Sequence, residues 1–349
     1  MRKFVLLLAF SIFLISNQNI YANETEKQED QKVSFKFDTR FDGQYTSLKG
    51  SENEGGFSGA YLNLLLSGKI NDKFSYDMRY RMYKGPNSNQ NYFNQVDWAY
   101  IRYNIDNRFF ISGGKEIVYI GGFEYDYAPI DVYFASNFWN ACNPQQMGFS
   151  LGYTSLNKKH TLKLQLTNSP FSIDKYNNTY AVNAIWYGDL DWFKTIYSVN
   201  MMEYQKGDWV NYIALGNQFL FNDFIIDFDY MNRAGSTEKF FADFSIISQL
   251  KYNINDKVTV FVKGGYDLNK AQDFKTVSDE NLNTTNDYAY DKWVRPGTEN
   301  GFWGAGVEYY LLKNKDLRIH AVYTSNNGDP IPQTINFGIK WKMKIIDRK

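Results

Sequence analysis

The chain has 349 residues, and its 38 basic and 38 acidic side chains give a formal net charge of zero at pH 7. This balance provides no basic footprint for nucleic acid, and the single cysteine, Cys142, excludes a disulfide framework within the chain. Aromatic residues make up 18% of the chain, yet its mean hydropathy is −0.50. A membrane β-barrel explains both values, because apolar and polar residues alternate along each of its strands. A soluble β-sandwich or propeller is the structural alternative.

The N-terminal residues 1–22 are predicted to be a secretory signal peptide. Two basic residues precede an apolar stretch of about a dozen residues, and the small residue Ala22 offers a cleavage site. The stretch is too short for an ordinary transmembrane helix, although a membrane anchor is the alternative. Cleavage would leave 36 basic and 38 acidic residues. Residues 23–32 are polar and are predicted to form a periplasmic extension, and residues 33–349 are predicted to form the barrel.

An alternating pattern with the period of a β-strand begins at Val33. Phe35 and Phe37 follow it on one face, while Lys36 and Asp38 lie on the other. About sixteen segments share this pattern, which predicts an all-β fold, a transmembrane antiparallel barrel wide enough for an aqueous channel. The predicted strands are 33–48, 57–70, 73–83, 94–105, 108–117, 146–155, 160–168, 179–188, 192–204, 208–221, 223–233, 239–254, 257–268, 300–312, 316–325 and 333–345.

The connections between these segments alternate between short and long. Asn71-Asp72, Asp106-Asn107 and Asn255-Asp256 are typical of tight turns. The long connections include 118–145 and 269–299, the second of which is polar and is predicted to be a surface loop. All seven prolines fall in the long connections, as a sheet favours. This asymmetry is typical of an outer-membrane barrel with both termini in the periplasm.

The connection after the fifth predicted strand contains an unusual stretch, Tyr119 to Asn140, with eight aromatic residues. Aromatic side chains bury a large area and pack against other groups, so this stretch is not expected to be a solvated linker. We predict that it folds inward against the barrel wall and acts as a constriction loop. Its acidic residues Glu124, Asp126 and Asp131 would then lie in the pore.

Basic residues on the polar faces of the first, third and last two strands are predicted to form one patch that faces this acidic loop. Those strands become neighbours when the barrel closes, and opposed charges across a narrow pore sort solutes by charge. The alternative is that these are solvated wall residues in local pairs. The patch consists of Arg40, Arg79, Arg81, Arg318, Lys340 and Lys342.

The stretch from Asp97 to Asn140 resembles porins of the phosphate-selective porin O and P family of the Bacteroidetes type. The resembling elements are Asp97-Trp98-Ala99-Tyr100, Gly114-Lys115, Gly121-Gly122-Phe123-Glu124 and Ala128-Pro129-Ile130-Asp131, and the similarity extends over about residues 56–171. The resemblance implies a sixteen-stranded outer-membrane porin, a homotrimer, with an inward-folded third loop. Phosphate selectivity does not follow, because this loop carries acids, although Lys115 and the patch around Arg79 and Arg81 favour anions.

The predicted function is passive diffusion of small hydrophilic solutes or inorganic ions through the outer membrane, with anions such as phosphate among the candidates. The barrel would contact the membrane lipid, and no cofactor, metal ion or nucleic acid is predicted. A barrel-based enzyme is disfavoured, because the only two histidines, His160 and His320, show no spacing to a nucleophile. A non-conducting structural or adhesive barrel and a receptor for a specific nutrient remain as alternatives. Conductance separates the first from a porin, and saturable binding separates the second.

Overall fold

The computed structural model describes residues 33–82, 95–142, 144–171, 178–235, 240–270, 275–279, 284–288, 293–294, 297–328 and 330–348. The predicted signal peptide, residues 1–22, and the predicted periplasmic extension, residues 23–32, lie outside the described residues. The helices in the described ranges are short, and none of them could cross a bilayer.

Within the described residues, sixteen strands form one closed antiparallel barrel, and two shorter strands, β14 and β15, pair only with each other. The strands are β1 (Val33–Leu48), β2 (Glu54–Lys69), β3 (Phe74–Arg81), β4 (Val96–Asn104), β5 (Phe109–Ile117), β6 (Gln145–Thr154), β7 (His160–Asn168), β8 (Tyr180–Asp189), β9 (Phe193–Gln205), β10 (Asp208–Phe221), β11 (Phe224–Gly235), β12 (Asp243–Asn255), β13 (Val258–Asn269), β14 (Lys275–Asp279), β15 (Thr284–Tyr288), β16 (Thr298–Tyr310), β17 (Leu317–Asn326) and β18 (Pro332–Arg348).

The barrel closes where its first and last strands meet. β1 pairs with β18 from the Val33–Arg348 pair to the Leu48–Pro332 pair. Every other barrel strand pairs with its neighbours in sequence, except that β13 pairs directly with β16 because β14 and β15 stand apart. The predicted fold class, an all-β antiparallel barrel of about sixteen strands, is confirmed.

The two faces of each strand have opposite chemistry. In β6, Phe149 is 73% exposed while the next residue, Ser150, is 5% exposed, and in β17 the exposed Ile319 precedes the buried His320. A soluble protein shows the reverse arrangement, with apolar side chains inside. Exposed apolar and buried polar side chains fit a wall that faces hydrocarbon, where every backbone group has to be paired within the sheet.

The tight turns have the side-chain chemistry that their sequences predict. Asn71 accepts hydrogen bonds from the backbone N–H groups of Lys73 (2.9 Å) and Phe74 (2.8 Å), and Asp106 does the same for Arg108 and Phe109. Such bonds satisfy backbone donors that the ladder leaves open at its end. The turns therefore fix the register of the strands that they join.

The prediction for one of the long connections is partly wrong. The connection 269–299 was expected to lie on the surface, but it contains β14 and β15 and two buried residues, Trp293 and Val294, with 4% and 0% exposure. The ring of Trp293 lies 4.6 Å from that of Phe171 and 5.4 Å from that of Phe138. The connection is mostly polar in composition, and only two residues form this apolar anchor, so the sequence did not indicate it.

A substitution at Gly338 of β18 tests how closely the strands pack where the barrel closes. It is in register with Asp42 of β1 and His320 of β17, and a Cβ atom there would overlap the carbonyl oxygen of Phe41 and lie 2.8 Å from Cε1 of His320. We expect Gly338→Ala to lower the free energy of unfolding by roughly 1–3 kcal/mol, because overpacking displaces neighbouring atoms. Urea titration of the barrel in lipid vesicles, followed by tryptophan fluorescence, measures the change.

The matched control is Gly59→Ala in β2. A Cβ atom at Gly59 would have no heavy atom within 4 Å, so this variant should unfold like the unmodified protein. Equal losses in the two variants would show that close packing at Gly338 does not limit the stability of the seam.

Candidate functional site

Residues 118–142, which we call the aromatic segment, follow β5 and form short pieces of helix rather than a strand. Helical turns cover Phe123–Asp126 and Asn137–Ala141, with a 3-10 turn at Pro129–Asp131 between them. The side chain of Ser136 caps the second helical turn by accepting a hydrogen bond from the Trp139 N–H at 3.1 Å. The segment therefore has a defined conformation along its length.

Polar side chains of the barrel strands bind the backbone of the aromatic segment. Asp229 of β11 accepts hydrogen bonds from the N–H groups of Phe123 and Glu124, both at 2.8 Å. Ser198 of β9 accepts one from the N–H of Gly121 at 2.8 Å. These bonds satisfy buried donors that would otherwise be costly in an irregular segment.

Gly216 of β10 allows the segment to approach the wall closely. A Cβ atom at Gly216 would lie 2.7 Å from Cα of Gly122, which has a φ of 109° that favours glycine. The two glycines thus place backbone directly against backbone. Neither spacing nor alternation in the sequence marks this contact.

An apolar cluster holds the same end of the segment. Val118, Ile120 and Phe138 pack with Tyr212 of β10 and with Trp293, and all five are buried. The prediction that the aromatic residues of this stretch pack on the wall agrees with these contacts. The strands that receive them, β8 to β11, lie together in the ring.

Asp131 contacts three basic side chains of the last two strands. Its carboxylate lies 2.7 Å from Arg318 Nη2 and 3.0 Å from Lys342 Nζ, and it also pairs with Lys340. Lys340 is only 2% exposed, whereas the side chain of Lys342 is 36% exposed, so the group extends from the buried wall toward the cavity. The group carries a surplus of positive charge, part of which Glu308 offsets at 3.1 Å from Arg318.

Arg40 and Glu124 make two more connections between the segment and the wall. The guanidinium of Arg40 donates to the carbonyl oxygens of Ile130 (3.1 Å) and Val132 (2.9 Å) on either side of Asp131. The carboxylate of Glu124 pairs with Lys263 of β13 at 2.7 Å. The Nζ atom of Lys263 also donates to the carbonyl oxygen of Phe134 at 2.7 Å.

The single basic patch predicted from the sequence is divided in the structure. Arg40, Arg318, Lys340 and Lys342 gather around residues 130–132, whereas Arg79 and Arg81 share the carboxylate of Asp97 at 2.6 Å and 2.7 Å. The predicted patch therefore consists of two groups with different partners, and Asp131 of the acidic segment contacts the first group directly. Strand order alone could not reveal this contact.

Asp97 was not predicted as a site residue, for an identifiable reason. The register between β3 and β4 shifts between Arg79 and Tyr80, so that Trp98 pairs with Arg79 and Val96 with Tyr80. Asp97 falls at this irregularity, where one extra residue changes which face a side chain occupies. Strict alternation cannot identify such a residue.

Lys115 lies near the end of β5, shortly before the aromatic segment begins. Lys115 is in register with Ala99 and Met147, and it shares the face of β5 that carries the exposed Ile111, opposite Ser112 and Glu116. Asp126, in contrast, is exposed at the middle of the aromatic segment. Desolvation by the surrounding protein raises the pKa of Asp126, and the nearby Lys163 ammonium opposes that rise.

Two cavities flank the aromatic segment, and Tyr127 lines both. One, of about 460 Å³, lies between the segment around Asp131 and strands β11, β12, β13, β16, β17 and β18. The other, of about 340 Å³, lies between residues 125–129 and the wall that carries Arg79 and Arg81. Charged side chains of both signs line the space around the segment.

The barrel has the fold of outer-membrane porins. An anion-selective porin from Comamonas acidovorans matches 90% of this chain over 100% of its own length, with a TM-score of 0.64 and 8% identity. The outer-membrane channel DcaP of Acinetobacter baumannii matches 92% of this chain over 100% of its own, with a TM-score of 0.61 and 11% identity. OmpT of Vibrio cholerae in its trimer form matches 90% over 99%, at 0.56 and 11%. At these identities the likeness establishes the fold.

The sequence model of the phosphate-selective porin O and P family matches residues 32–191, a range that includes the whole aromatic segment. No curated protein matches the chain. The family match, together with the porin fold, supports a channel for passive passage of solutes or ions in the outer membrane, and points away from an enzyme.

Replacing Asp131 tests its role as an anchor. We expect Asp131→Asn to release the Pro129–Asp131 turn, because Arg318, Lys340 and Lys342 would lose their shared carboxylate while Arg318 and Lys340 remain buried. Backbone amide hydrogen exchange at Asp131 and Val132 should then become faster by at least about tenfold, since losing one partner of a buried ion pair costs several kcal/mol.

Asp191→Asn is the control for this variant. Asp191 pairs with Lys159 at 2.8 Å in a turn where its side chain is 78% exposed, so this substitution should not change exchange in the aromatic segment. Unchanged exchange at Val132 in the Asp131→Asn protein would contradict an anchoring role.

Proposed function

We propose that this protein is an outer-membrane diffusion porin in which the aromatic segment folds inward and narrows the pore. The bonding of the segment supports this arrangement. It contacts buried polar side chains of β1, β9, β11, β13, β17 and β18, strands from separate parts of the closed ring. Binding to the polar face of these strands supports a path of the segment through the interior of the barrel.

The observation that carries the proposal is the pair of charged cavities on either side of the segment. Each is lined by residues of the segment together with wall residues, and charged side chains from both sources face each cavity. A sixteen-stranded barrel is wide enough for an aqueous channel, so a segment that fills only part of it leaves room for hydrated solutes.

The charges along the Arg79–Arg81 side favour a weak preference for anions. Arg79 and Arg81 both pair with the carboxylate of Asp97, and both line the cavity of about 340 Å³, so two guanidinium groups lie beside this part of the space around the segment. The acids of the segment compensate less than their number implies, because Asp131 and Glu124 are already bound to basic partners. Phosphate belongs to the anions that such a site would admit, with no dedicated phosphate pocket required.

Assembly and export complete the proposal. A signal peptide cleaved after Ala22 would bring the chain to the periplasm, and a homotrimer in the outer membrane is the expected assembly. The trimeric form of OmpT, which shares the fold, supports that assembly. Multi-angle light scattering of the detergent-solubilised protein, corrected for bound detergent, tests for three copies.

Single-channel recording in planar bilayers tests the function. We expect stable open steps in potassium chloride, and a salt gradient should give a reversal potential that leans toward anions. The test also decides the alternative, because folded protein that produces no steps would overturn the diffusion porin and favour a non-conducting structural barrel.

Arg81 provides the sharper test of selectivity. It is the more accessible member of the pair, with 16% side-chain exposure against 6% for Arg79. Arg81→Gln removes one of the two guanidinium charges while Arg79 keeps Asp97, so the reversal potential should move toward cations, with a change in the ratio of anion to cation permeability of about twofold to fivefold.

Arg108→Gln is the matched control. Arg108 lies in the turn between β4 and β5, with 43% side-chain exposure, so its replacement should leave the reversal potential unchanged. A reversal potential that is unaffected by Arg81→Gln would show that the charges of this pair do not select ions.

A further inference from the structure

A third cavity, of about 270 Å³, lies between the start of the aromatic segment and strands β3, β4, β5, β7 and β8. Aromatic rings line it from several directions. Trp98 and Tyr100 come from β4, Tyr187 comes from β8, and Tyr119 and Tyr125 come from the segment. Such a concentration of rings around one small space is suited to a flat solute.

Two cations in this cavity differ from the other basic residues described above. Lys163 lies 4.9 Å from the ring centres of both Tyr119 and Tyr187, and Arg102 lies 4.3 Å from that of Phe110. Among the described residues, neither has a carboxylate within ion-pair distance, and the buried Nε of Arg102 has no hydrogen-bond partner. Rings hold both cations in place without neutralising their charge.

The acidic side chains that line the same cavity differ in how far their charge is already bound by hydrogen-bond donors. Glu116 already accepts hydrogen bonds from Ser112 (2.8 Å), the Tyr119 hydroxyl (2.7 Å) and Ser150 (3.1 Å). Asp77 accepts one from the indole N–H of Trp98. Asp126 is exposed and makes no side-chain hydrogen bond in the described part of the chain. It limits the negative charge that a bound solute can carry.

We propose that this cavity is a saturable binding subsite for small aromatic monocarboxylates. This inference rests on the proposed pore function, since it places the subsite along the solute path. The fork of Arg102 can bind both oxygens of a carboxylate, Lys163 adds a second charge, and the tyrosine and tryptophan rings contact the aromatic ring. Asp126 disfavours a dianion and can accept a hydrogen bond from a ring hydroxyl.

The size of the cavity narrows the class of solute further. Pockets for drug-sized ligands have volumes of roughly 300–1,000 Å³, so a space of about 270 Å³ suits a small solute such as one six-membered ring with its carboxylate. Inorganic anions would be attracted by the two cations but would gain no binding energy from contacts with the rings. The subsite should therefore discriminate by the ring as well as by charge.

Channel block measures this binding directly. Sodium benzoate, added to single channels in potassium chloride, should reduce the current in a saturable manner, while sodium acetate at the same concentration should do so much more weakly. Lys163→Met should raise the half-blocking benzoate concentration on the order of tenfold, the loss expected for a charge-assisted contact. Arg102→Gln should have a similar effect.

Lys251→Met is the matched control. Lys251 also lies over a tyrosine ring, 4.0 Å from the centre of Tyr127, but it lines the cavity of about 460 Å³ instead. This variant should keep the benzoate block of the unmodified protein. Heat-dependent mobility in detergent gels confirms that each variant is a folded barrel before it is recorded.

The outcomes separate this inference from the pore itself. Open channels that benzoate blocks no better than acetate would overturn the subsite and leave the porin standing. Equal loss of block in Lys163→Met and Lys251→Met would overturn its location. Folded protein without any conductance would instead overturn the proposed function.

Discussion

The pairing of backbone groups is the constraint on which the rest of this structure depends. A sheet in hydrocarbon cannot leave an open edge, because each unpaired N–H or C=O group there costs several kcal/mol. The pairing of β1 with β18 removes the edge and encloses the polar face. Arg40 and Lys340 are neighbours across this seam, and both are buried. Closing the barrel therefore buries basic side chains that need hydrogen-bonding or charged partners. The aromatic segment provides these partners.

The segment and the wall satisfy each other's polar groups. Asp131 gives a carboxylate to the cations of the last two strands, while Asp229 accepts from backbone donors that the segment cannot pair internally. Each partner would be costly to bury alone. This reciprocity explains why an irregular stretch can lie against a charged wall with a defined conformation. It also explains why the acids of the segment and the cations of the wall do not remain separated across open water.

The sequence predicted the barrel better than the interior, for physical reasons. A period of two residues is repeated in every strand, so the strand bounds and the location of the long aromatic connection could be predicted before the structure. Alternation assigns a face but not a partner, so it could not divide Arg79 from Arg318. A register shift of one residue placed Asp97 beside Arg79 and Arg81, and the contact of Gly216 with Gly122 depends on tertiary approach alone. The face of Lys115 could have been predicted by counting from Ile111.

The mode of anchoring has a consequence for how such a pore can be altered. The bonds to Asp229 use main-chain N–H groups of Phe123 and Glu124, which any residue except proline could supply. Gly121, whose N–H group bonds to Ser198, is more restricted, because a Cβ atom there would lie 2.6 Å from the carbonyl oxygen of Ile196. The exposed Asp126 takes no part in them with its side chain. The residue at this position can therefore change while the backbone contacts of the segment stay the same. Evolution or nanopore engineering can then alter the charge along the pore one position at a time.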